Sequence, residues 1–182
     1  MTTIAFKDGV FASDSRCSRG NEIAPLPARK IWVVNEGRGA FAIAGDYFIH
    51  PAVYAKETLN QIDNPAAMYE WVAEVLQQSH SSEAVDLDGF YYDPAYDKNT
   101  LYAFSAADHK DGTERDIGFC EFILHNGCGV YADGSGREAA LATLYNGGSL
   151  EDAIWTAAML DSATDTEVVV YDTHAQVFQF LS

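Results

Sequence analysis

Short apolar runs bounded by turn residues open the chain, helical stripes interrupt them twice, and two further strand-like runs close it. Residues 3–6 and 10–13 flank Lys7-Asp8-Gly9, and an Asp-Gly step between two such runs is a strong hairpin signal. The polar stretch 16–27, which contains Gly20, Pro25 and Pro27, reads as a loop. Residues 30–34 and 40–44 form a second pair around Asn35-Glu36-Gly37, again with turn chemistry. A helix is expected over 46–61, interrupted or restarted at Pro51. A second, over 65–79, places Met68, Trp71, Val72, Val75 and Leu76 on one stripe, with Asn64 as cap and Pro65 in the first turn.

Strands resume at 89–92, 100–105, 118–124 and 128–132, rich in Phe and Tyr that suit a pleated, half-buried surface. Gly134-Ser135-Gly136 begins a helix that runs to about Tyr145 and is ended by Asn146-Gly147-Gly148. Ser149-Leu150-Glu151-Asp152 resembles a capping box, and the helix it starts lines up Leu150, Ala153, Ile154, Ala157 and Ala158. Strands over 167–171 and 176–181, joined through Asp172-Thr173-His174-Ala175, finish the chain. Hairpin connections favour antiparallel pairing over a doubly wound parallel sheet. Two antiparallel sheets packed face to face, with helix pairs outside, would bury every apolar face. The predicted class is α+β, a four-layer α/β/β/α sandwich spanning residues 1–182 as one domain.

Composition narrows the function. With 48% hydrophobic and 21% charged residues, the chain is globular and not disordered. No apolar run is long enough to span a bilayer, and no secretory signal opens the sequence, so a cytoplasmic protein is expected. A net charge of −16 argues against nucleic acid, whose phosphates need Lys and Arg to neutralise them. Cys17, Cys120 and Cys128 lack metal-site spacing and read as reduced thiols, and the five histidines are scattered singly. No metal or cofactor is expected.

The chemistry concentrates at the start. Were Met1 removed, Thr2 would carry a hydroxyl and a free α-amine on one residue, a nucleophile with its own base attached. Such an amine titrates near ~7.7–8.0 when unperturbed, close to where a general base works at neutral pH. Five further segments follow in order: Asp14 at the end of the second strand, Arg29-Lys30-Ile31, Ala42-Ile43-Ala44-Gly45, Gly134-Ser135-Gly136 and Asp161-Ser162-Ala163-Thr164-Asp165. Together with Thr2-Thr3-Ile4-Ala5 they make the chain resemble proteasome β-type subunits, and in length the bacterial proteasome-like peptidase that works with an unfoldase ATPase. These are N-terminal-nucleophile (Ntn) hydrolases, which share the four-layer sandwich.

The resemblance implies Thr2 as nucleophile, Lys30 held by Asp14 as the cation that keeps the amine neutral, and the Gly45 N–H as oxyanion donor. It implies Ser135, Asp161 and Thr164 as groups that orient the amine, with Thr164 standing where the family has serine. It also implies a peptide or unfolded-protein substrate, a homo-oligomeric ring or barrel, and an unfoldase ATPase as possible partner. The sequence departs from the pattern at Ser13, where some relatives have glycine, and at Asp46-Tyr47-Phe48, which follows Gly45 in place of a second small residue. Two other readings stay open: an inactive structural subunit that retains Met1, and an Ntn amidase acting on small amides.

Overall fold

The computed structural model describes residues 2–16, 18–19, 22–23, 29–46, 56–78, 85–108 and 115–181. Strands β1 (Thr3–Lys7) and β2 (Val10–Asp14) are joined by Asp8 and Gly9, both at positive φ (52° and 86°), the two-residue connection whose twist matches that of the flanking strands. A small hairpin, β3 (Ser18–Arg19) and β4 (Glu22–Ile23), lies within the stretch expected to be a loop. β5 (Ile31–Val34) and β6 (Gly39–Asp46) pair across a 3₁₀ turn at Asn35–Gly37. There follow α1 (Lys56–Leu59), α2 (Pro65–Gln78), β7 (Val85–Tyr92), α3 (Pro94–Asp97), β8 (Thr100–Asp108) and β9 (Arg115–Ile123). The chain continues through β10 (Val130–Gly134), α4 (Arg137–Tyr145), α5 (Leu150–Leu160), β11 (Val168–Asp172) and β12 (Val177–Leu181).

Among the described residues every pairing is antiparallel: apart from the β3–β4 hairpin, the strands form one sheet of order β10-β1-β2-β11-β12 and a second of order β5-β6-β7-β8-β9. Side-chain alternation sorts the layers. Ile4 and Phe6 of β1 and Phe11 of β2 point between the sheets, where they meet Ala40, Ala42, Ala44 and Phe90 of the second sheet. The small alanines of β6 leave room for those aromatics. Ala5 and Ala12 point the other way, under Ala140, Leu144, Ala153 and Ile154 of α4 and α5. On the far side, Phe41 and Ile43 of β6 meet Met68, Trp71, Val72 and Leu76 of α2. The result is the α/β/β/α sandwich expected from the sequence.

Caps act where the sequence places them: Asn64 Oδ1 accepts from the Ala67 N–H (3.0 Å), and Ser149 and Asp152 form a reciprocal capping box on α5. Boundaries differ in several places: β8 runs on to Asp108 and not 105, and β9 begins at Arg115 and not 118. Asp46 ends a strand and does not begin a helix; of the helix expected over 46–61, α1 is the described part, and residues 47–55 lie outside the described residues. β7 begins at Val85 and not at residue 89, because Asp86 and Asp88 conceal a strand whose Leu87 is buried under α2. The strand expected over 128–132 lies instead at Val130–Gly134, so the helix starts at Arg137.

Candidate active site

The β1–β2 hairpin register pairs Ile4 with Ser13, which leaves Thr3 and Asp14 facing each other at its open end. There the Thr3 N–H donates to Asp14 Oδ1 at 2.8 Å. The same oxygen accepts from Lys30 Nζ at 2.7 Å, and Oδ2 accepts from the N–H groups of Arg16 (3.1 Å) and Asp165 (3.3 Å). Asp14 is wholly buried and Lys30 almost so. A carboxylate removed from water needs a counter-charge and hydrogen bonds in place of its lost hydration, and Asp14 has both. Lys30 is anchored from behind by its carbonyl, which accepts from the Ile43 N–H (3.0 Å) of β6.

A second cluster assembles on the helix side. Gly134, at φ +90°, ends β10 so close to the N-terminal strand that a Cβ there would fall 1.8 Å from the Thr2 carbonyl oxygen and 3.3 Å from Ala44 Cβ. The next residue, Ser135, donates its N–H to the Thr2 carbonyl (2.9 Å) and its hydroxyl to Asp161 Oδ2. Thr164 Oγ1 donates to the same carboxylate oxygen at 2.9 Å, and the Ala163 N–H donates to Oδ1 at 3.0 Å. Asp161 is the C-cap of α5, and the loop beyond it is pinned by Trp155 Nε1 on the Thr166 carbonyl (2.9 Å). Burial alone would raise the Asp161 carboxyl, but hydrogen bonds from Ser135, the Ala163 N–H and Thr164 draw it below the ordinary carboxylate range.

The structure thus brings Asp14 to Lys30, and Ser135 and Thr164 to Asp161, with Thr2 tied to the second group through its backbone. Thr2 is buried, and its position in the alternation puts it on the same side of β1 as Ile4, toward the gap between the sheets. Gly45 reaches this neighbourhood through the preceding residue: Ala44 borders Gly134. Its φ of +126° and the nearness of the Asp86 carbonyl, 2.0 Å from where a Cβ would sit, require glycine. Beside Lys30 opens a cavity of about 630 Å³ whose lining includes Ile31, Val169, Phe178 and Phe180, together with Ser15 and Glu167, where the Ser15 hydroxyl donates to Glu167 Oε2 at 3.0 Å.

Three participants escaped the sequence reading. Thr3 Oγ1 lies 2.6 Å from Thr164 Oγ1, Arg16 supplies both an N–H to Asp14 and a guanidinium to the Ser162 carbonyl, and the Asp165 N–H completes the Asp14 shell. Strand parity offered one signal, since Thr3 shares the helix-facing side of β1 with Ala5. Near Gly134, the Asp133 carboxyl is raised by burial, against hydrogen bonds from the Gly134 N–H (2.8 Å) and the Tyr131 hydroxyl (3.2 Å).

No protein-family model matches this sequence, and no curated protein does. Among solved structures, the fold is similar to eukaryotic HslV from Trypanosoma brucei, at 15% identity and a TM-score of 0.56 over 93% of this chain and 96% of that one. It is also similar to a mutant of Anbu from Hyphomicrobium sp., at 14% identity and a TM-score of 0.52 over 94% of this chain and 82% of that one. At such identities the likeness is one of fold: the chain shares the α/β/β/α sandwich of these two structures.

Proposed function

We propose that the protein is a threonine-type peptidase that hydrolyses peptide bonds through Thr2 once Met1 has been removed. One observation carries this reading: the buried Lys30–Asp14 pair and the Ser135–Asp161–Thr164 cluster both terminate on the backbone of residues 2 and 3. Thr2 Oγ1 attacks the peptide carbonyl carbon while its proton passes to its own α-amine, directly or through one water. The Lys30 ammonium disfavours a second cation beside it and so keeps that amine neutral before attack. The Gly45 N–H receives the oxyanion, a donor of the kind whose removal costs ~10²–10³ in rate. Collapse of the tetrahedral species expels the leaving amine, which takes the proton held on the α-amine. Water, deprotonated by the same amine, then hydrolyses the ester on Thr2. The cavity beside Lys30 gives room for an apolar side chain of the substrate.

Chains of this kind would work as a homo-oligomeric ring or barrel in the cytoplasm, fed with unfolded polypeptide by an ATPase. The test combines the intact mass of the protein as made in cells with its hydrolysis of a fluorogenic peptide panel. The expected result is loss of one methionine together with turnover, and a drop on the order of 10³-fold or more in Thr2→Ala. Retained Met1 with no hydrolysis would instead make the chain a structural subunit. Turnover of acyl amides but not peptides would make it an amidase.

A further inference from the structure

Thr3 is fully buried, and its two polar groups run to opposite halves of the site. Its N–H donates to Asp14 Oδ1, the oxygen that also receives Lys30 Nζ. Its hydroxyl meets that of Thr164, which contacts Asp161 Oδ2 in turn. The direction of this row follows from proton counting. An ionised carboxylate only accepts, and a hydroxyl has one proton to give. Thr164 commits its proton to Asp161, so it accepts from Thr3. Ser135 likewise commits its proton to Asp161 and keeps only lone pairs, which suit it to accept from the amine of a freed Thr2. Space for the Thr3 hydroxyl exists because residue 136 is glycine: a Cβ there would fall 2.3 Å from Thr3 Oγ1 and 2.7 Å from Ala157 Cβ.

We infer that Thr3 is a positioning residue for hydrolysis at Thr2: its hydroxyl fixes Thr164 and through it Asp161 and Ser135, while its N–H fixes the same residue to the Asp14–Lys30 pair. The inference rests on the proposed function. Thr3 is the residue through which an error in either cluster would reach the adjacent nucleophile. A threonine hydroxyl is needed there because an isosteric valine cannot donate, and Thr164 would be left with an unfilled acceptor in a buried place.

The test uses the full chain, processed to Thr2, with fluorogenic peptide amides as probe. Thr3→Val should lower kcat about tenfold with KM changed less than about twofold, the scale of one lost hydrogen bond that matters only to the aligned amine. Thr3→Ser should recover most of the wild-type kcat, and Thr3→Ala should resemble Thr3→Val. Wild-type kcat in Thr3→Val, or equal impairment of Thr3→Ser and Thr3→Ala, would overturn the role of the hydroxyl. If Thr3→Val does not fold, the Ser and Ala variants, which differ by the hydroxyl alone, decide by the same comparison. Thr2→Ala separates the two levels. A dead Thr2→Ala beside a fully active Thr3→Val removes only the inference about Thr3. A Thr2→Ala that still turns over, or a wild-type chain inert toward every peptide, removes the proposed function and this inference with it.

Discussion

Asp14 gathers more of the site's order than any other side chain in it. Four donors reach its two oxygens, and only Lys30 brings a charge. Truncating one member of a buried ion pair typically costs ~3–5 kcal/mol because the partner is left charged and dry. Lys30→Ala should therefore lower the thermal midpoint as well as turnover, the latter by at least ~10²-fold if the amine becomes protonated. Adding Asp14→Asn removes the stranded charge, so the double variant should regain much of the midpoint while staying inactive. Calorimetry and peptide turnover on the three variants check this; Lys30→Ala with unaltered turnover would end the assignment. Gly134 gives a second residue-scale prediction. Alanine there combines a positive φ with a Cβ placed against the Thr2 carbonyl, and should cost about 2 kcal/mol or more. The Ser135–Thr2 backbone bond should open, with loss of turnover and a more accessible N-terminal amine by acylation.

Elements with strict alternation or a clean stripe were legible in the sequence: β1, β2, α2 and α5 all lie where their patterns put them, because each buries one face. β7 was half legible, since its first turns of alternation set aspartates against Leu87. α3 was missed: it is four residues long and owes its existence to Asp93, whose side chain accepts from the Ala95 and Tyr96 N–H groups. For the site, the family resemblance pointed to Asp14, Lys30, Ser135, Asp161 and Thr164, whereas the contact of Thr3 with Thr164 spans 161 positions and no local pattern announces it. The two carboxylates at the ends of β10 and α5 also make opposite pH predictions. The Asp161 carboxyl is lowered in the folded chain, so its stabilisation is present above the ordinary carboxylate pKa and lost as pH falls through its folded value. Asp133 is raised, first by burial, so its stabilisation is present in acid and lost as pH rises through its folded value. At pH 7 Asp133→Asn should raise the thermal midpoint and Asp161→Asn should lower it, and both differences should shrink toward pH 3. A pH-independent Asp133→Asn effect would mean that packing, not ionisation, sets it.

At the scale of the whole molecule, charge and apolar surface pull in opposite directions. The 27 acidic and 11 basic residues leave a net charge of −16, so identical copies repel at long range. Yet Met159 and Leu160 at the end of α5 are 83% and 77% exposed, and Phe180 on the β12 edge is 79% exposed. Such side chains on a strand edge and a helix end favour association at short range. If the protein works as a ring or barrel, assembly must overcome the repulsion through contacts that salt does not weaken. Raising the ionic strength from ~10 mM to ~0.5 M shortens the Debye length from about 30 Å to a few Å, and should increase the assembled fraction. Leu160→Glu should reverse that gain if the end of α5 is one of the contacts. Sedimentation velocity across the salt series measures both. A chain monomeric at every salt concentration would remove the barrel from the proposed function. Dissociation on adding salt would show instead that ion pairs hold the copies together, and that the exposed apolar ends face something else.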